Sequence, residues 1–76
     1  MKKFEVGKEY DPYQREFDPV KVIKRTEKTI WVQKDEITWM MRIKHDAERN
    51  EYAVDSKVPH KWRDAFVYSA LWEKET

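Results

Sequence analysis

The stretch Ile37-Thr38-Trp39-Met40-Met41-Arg42-Ile43-Lys44 sets Ile37, Trp39, Met41 and Ile43 on one face and Thr38, Met40, Arg42 and Lys44 on the other. A period of two belongs to a β-strand, since a helix would scatter the same apolar side chains around its cylinder. The face carrying Trp39 is expected to be buried.

Upstream, Val20 to Thr26 is a β-branched run in which Val20 and Val22 alternate with Lys21, and Thr29 to Gln33 continues it with Ile30 and Val32 on one side. The short Glu27-Lys28 connection predicts a hairpin between them, and Lys34-Asp35-Glu36 turns the chain into the next strand. Downstream, the polar run His45 to Asn50 reads as a hairpin loop. Glu51 to Asp55 follows as a strand with Tyr52 and Val54 inward. Three consecutive hairpins make a meander.

The flanks are less regular. Phe4-Glu5-Val6 reads as a short first strand stopped at Gly7, and Asp11 to Asp18, with Pro12, as a surface loop. Pro59 suits a first helical position, so a short helix is expected near residues 59–65, carrying Trp62. Beyond it, Phe66, Tyr68, Ala70 and Trp72 alternate with Val67, Ser69 and Leu71, which predicts a closing strand. The spacing of Trp62, Phe66 and Ala70 instead suits one longer helix; the strand is the preferred reading.

These elements predict a mainly β protein, a small SH3-like or OB-like barrel built around the β-meander, in a single domain over residues 1–76. An open sheet with a C-terminal helix is the competing architecture. The aromatic fraction of 14% supplies a core, and the charged fraction of 41% reads as surface because the two signs nearly cancel. With no cysteine there is neither a disulfide nor a thiolate metal site, which suits a cytoplasmic setting. Met1-Lys2-Lys3-Phe4-Glu5 leads into no apolar signal region, and no run reaches membrane-spanning length.

Three segments, Phe4-Glu5-Val6-Gly7-Lys8-Glu9-Tyr10, Val22-Ile23-Lys24-Arg25-Thr26 and Tyr68-Ser69-Ala70, resemble small uncharacterised proteins encoded by phages and mobile elements of Gram-positive bacteria. The resemblance implies a bacterial or phage setting and carries no activity or site with it.

Nothing in the chain spells out an enzyme. His45 and His60 stand apart without metal-ligand spacing, so no metal or other cofactor is expected. Ser56 and Ser69 have no base arranged nearby. Carboxylate pairs such as Asp35-Glu36, or Glu48 with Glu51, fall in or beside predicted turns and read as solvated acids. No glycine-rich loop cradles a phosphate.

Charge is unevenly spread. Lys21, Lys24, Arg25, Lys28 and Lys34 face Glu27 alone within residues 20–34, whereas acids predominate in residues 35–56. A ring between cations can stack on an unpaired base while the cations hold phosphates, so Lys21, Arg25, Lys28 and Trp31 form the candidate nucleic-acid-binding set. The bland reading makes Trp31 a barrel-closing residue and the lysines solubilising ones. Exposed Trp62, Arg63 and Tyr13 would instead anchor a protein interface, because Trp, Tyr and Arg dominate binding hot spots. The partner is then a host protein that the chain regulates or inhibits, anti-CRISPR-like by analogy alone. A second copy is expected to cover exposed strand edges or rings, giving a homodimer.

Overall fold

A computed structural model of the chain describes residues 1–55, 61 and 66–74. Strands β1 (Glu9–Pro12), β2 (Val20–Arg25), β3 (Thr29–Lys34), β4 (Ile37–His45), β5 (Glu51–Val54) and β6 (Val67–Glu73) follow one another around a closed antiparallel barrel. Each pairs with its neighbours in sequence, and β1 closes the ring on β6. The architecture is of the small SH3-like or OB-like kind. Val67–Glu73 form the closing strand rather than a helix. Among the described residues no helix is long and apolar enough to cross a membrane.

Alternation builds the interior. Val20 and Val22 of β2, Ile30 and Val32 of β3, Met41 and Ile43 of β4, Ala53 of β5, and Tyr68 and Ala70 of β6 point inward with Phe4 and Tyr10. Cross-strand neighbours such as Val22 and Val32, or Ile30 and Met41, stack on this inner face. Trp39 is only half-buried against that core, with its Nε1 lacking a partner among the described residues, and Ile37 at the start of β4 is exposed.

The turns work with a single glycine. Asp35 takes a left-handed φ of 54° between β3 and β4, a conformation a short polar side chain tolerates better than most. Between β4 and β5, Asp46 accepts hydrogen bonds from the N–H groups of Glu48 and Asn50 at 2.8 and 2.9 Å. Those bonds hold a loop in which Arg49 sits at φ 66°.

Three expectations are corrected. Residues 4–6 form no strand, because the main chain near Phe4 bonds to side chains of the barrel rather than to a ladder. Pro12 is not in a loop but ends β1, buried at a register shift against β6 where its missing N–H is tolerated. In β5 the phase is inverted: Glu51 and Ala53 point inward while Tyr52 and Val54 are half-buried outside. Ala53 lies opposite Tyr68, and the small side chain leaves space for the ring. The short helix expected at 59–65 lies, apart from Lys61, outside the described residues, as do Trp62 and Arg63.

Candidate nucleic-acid interface

The register of β2 against β3 decides which cations share a face with Trp31. Lys21 lies opposite Gln33 and Val22 opposite Val32, but the next pair is Lys24 with Trp31, so Ile23 is an unpaired bulge residue. The bulge reverses the alternation. Lys24 emerges on the outer face and Arg25, opposite Ile30, turns inward.

The outer face then continues across β4, where Met40 lies opposite Trp31 and Arg42 opposite Thr29. Half-buried Trp31 is at its centre, with Lys24 Nζ 4.9 Å from the ring centroid. Lys21 and Arg42 stand one rung away in opposite directions, roughly 7 Å along the strands. Lys21, Lys24, Lys28 and Arg42 are exposed and enter no ion pair among the described residues. Beyond Lys21 the surface becomes mixed: Glu9, Asp18 and Asp35 line a cleft with Lys34, which pairs with Asp18 at 3.4 Å.

Of the residues singled out in the sequence, Lys21 and Trp31 come together on this face. Lys28 is exposed in the β2–β3 connection at the Arg42 end, its carbonyl accepting from Ile43 N–H at 2.8 Å. Arg25 does not join them. Its Nη1 and Nη2 donate to the two carboxylate oxygens of Glu51 at 2.7 and 2.9 Å, and Nη1 also donates to the Phe4 carbonyl at 2.6 Å. The hydrogen bonds to Glu51 hold the guanidinium above its ordinary pKa. Burial acts to raise the Glu51 carboxyl, but Arg25, the Phe4 N–H and the positive charges outweigh it, leaving the carboxyl below its ordinary value.

Lys24, Met40 and Arg42 were missed. The signal for Lys24 was faint: Val22-Ile23, two apolar residues in succession, interrupts the alternation where the bulge forms. Period two sets Met40 and Arg42 on the face of β4 opposite Met41 and Ile43, but nothing local joins that face to Trp31. Tyr13 is exposed and packs at 5.8 Å against Trp72, away from these strands. No group of three or more His, Cys, Asp or Glu side chains among the described residues could hold a metal ion.

Against known protein families, curated proteins and solved structures, the chain has no match.

Proposed function

We propose that the protein is a small non-enzymatic binding module, of phage or mobile-element type, that holds single-stranded nucleic acid on the outer face of β2, β3 and β4. The observation that carries this reading is the Lys24 ammonium 4.9 Å from the Trp31 ring, between Lys21 and Arg42, cations that enter no ion pair among the described residues. A ring of this kind stacks on a base of any sequence, and the flanking cations neutralise the phosphates on either side. Lys24 swings from the ring to a phosphate as the base arrives. Met40 adds a flexible apolar contact beside the base. The near-neutral whole-chain charge of +1 keeps binding local to this patch rather than spread over the surface.

Fluorescence anisotropy of a labelled single-stranded oligonucleotide at low salt tests the proposal. Saturable binding that weakens with salt is expected; no binding of DNA or RNA, single- or double-stranded, would refute it. The second reading, a protein-binding regulator, is favoured by exposed Met40 and by Tyr13 packed on Trp72. Under it, Tyr13→Ala lowers capture of a host protein while nucleic acid has no effect.

A further inference from the structure

The segment before β1 is held like a bound peptide. Its Lys2 N–H donates to Asn50 Oδ1 at 2.9 Å, and its Lys2 carbonyl accepts from the Glu51 N–H at 3.0 Å. Phe4 N–H donates to Glu51 Oε1 at 2.8 Å, and the Phe4 carbonyl accepts from Arg25 Nη1 at 2.6 Å. The Phe4 ring is 2% exposed and packs edge-on to Tyr10, with centroids 4.9 Å apart. Recognition therefore reads main-chain groups plus one aromatic side chain, the chemistry by which a sheet accepts an added peptide strand. Met1, Lys2 and Lys3 are exposed.

The receiving wall also carries hydrogen bonds of its own that do not pass through the segment. Arg25 and Glu51 satisfy each other through two parallel hydrogen bonds, so neither charge is orphaned when the segment leaves. Asp46 Oδ2 accepts from Asn50 Nδ2 at 3.3 Å, which keeps Asn50 Oδ1 directed at its ligand. Every strand of the barrel lies within residues 9–73, so departure of residues 1–6 breaks no ladder. The connection is a short turn in which Gly7 adopts φ 93° and Val6 is exposed, the kind of hinge through which chains exchange elements.

We infer that the barrel end formed by Tyr10, Arg25, Asn50 and Glu51 is a peptide-binding site, occupied in one chain by its own residues 2–4, and that it accepts the same segment from a second copy. Exchange re-forms the Lys2 and Phe4 hydrogen bonds and returns Phe4 to the same core position, while the Lys8 N–H to Glu5 carbonyl bond of 3.3 Å closes the turn that must open. This inference is independent of the nucleic-acid reading.

The peptide Met-Lys-Lys-Phe-Glu-Val, labelled at its C-terminus, is titrated into full-length Phe4→Ala, whose own segment has lost its anchor. Saturable binding is expected, with wild type at least about tenfold weaker because its own segment competes at an effective concentration of roughly millimolar. A peptide with Ala in place of Phe should bind neither. A folded Phe4→Ala chain that takes up no peptide overturns the inference. If that variant does not fold, wild type decides: isotope-labelled and unlabelled chains are unfolded, mixed and refolded at high concentration. Intermolecular contacts between the Phe4 ring of one chain and Tyr10 of the other are expected by isotope-filtered NMR. A dimer without those contacts, or monomer alone, overturns the inference.

Discussion

Arg25 and Glu51 meet through two parallel hydrogen bonds of 2.7 and 2.9 Å, with the Glu51 side chain only 3% exposed and Arg25 20% exposed. The asymmetry in burial sets the cost of removing either partner. Arg25→Met leaves a carboxylate in the core end without its cation and should destabilise by about 3–5 kcal/mol, a large part of what so small a domain has. Glu51→Gln leaves a guanidinium that reaches water and keeps an acceptor for the Phe4 N–H, so it should cost less. The double variant should recover part of the loss. Urea denaturation of the four proteins checks this, and strictly additive losses would count against a coupled pair.

Stability should fall in acid through the same carboxylate. Its pKa is lower folded than unfolded, so the contribution is fully present above the ordinary value of 4.5 and is lost as pH falls through the folded value. Asp46 acts in the same direction, its carboxyl lowered first by the Asn50 N–H, then by the Asn50 side chain and the Glu48 N–H. Denaturant midpoints measured from neutral to acid pH should decline more steeply for wild type than for Glu51→Gln. Parallel curves would remove Glu51 as a source of the acid sensitivity.

How far the sequence discloses this arrangement depends on the range of the interaction. Alternation within β2, β3 and β4 is local, and Ile30, Val32, Met41 and Ile43 are buried where period two puts them. Glu51 is different. Its inward position depends on Arg25, a strand pair away, and on Phe4 near the start of the chain, so propensity assigned the inside of β5 to Tyr52 and Val54 instead. Pro12 misled for a related reason: its local preference is for turns, but β2 and β6 both require a strand between them, and the register shift accommodates the missing N–H. The same closure pairs β1 with β6 within the chain. On the candidate interface, Lys21 and Trp31 were legible as outward residues, whereas the exchange of Arg25 for Lys24 followed from a bulge that only strand pairing fixes.

At high pH the opposing limb should come from tyrosine. Burial first, and then the charge of Asp55, pushes the Tyr68 hydroxyl up to about 12 from an ordinary 10.0. Between those values the unfolded chain releases the proton and the folded chain keeps it, so stability is full below 10 and declines as pH rises. The loss should be on the order of 2–3 kcal/mol by the upper value. Tyr10, raised chiefly by burial, adds in the same direction. Tyr68→Phe should flatten the alkaline decline of the denaturant midpoint; an unchanged slope would assign it elsewhere.

The interface makes its own demands on salt and sequence. If Lys21, Lys24 and Arg42 contact phosphates while Trp31 stacks on a base, the affinity for single strands should fall with salt with a logarithmic slope of roughly −0.7 per phosphate contacted. Three contacts then give a slope of about −2. Arg42→Ala should weaken binding about equally for all sequences and reduce the slope by somewhat under one unit. Trp31→Ala should lose stacking worth roughly 1–3 kcal/mol with little change in slope. Arg25 separates the structural reading from the charge count: turned inward onto Glu51, it contributes no phosphate contact. A folded Arg25→Lys chain should therefore keep the wild-type slope, while Lys24→Ala lowers both slope and affinity. If Arg25→Lys instead alters affinity at unchanged stability and Lys24→Ala does not, the bulged register does not govern binding and the outer face of β2, β3 and β4 is not the interface.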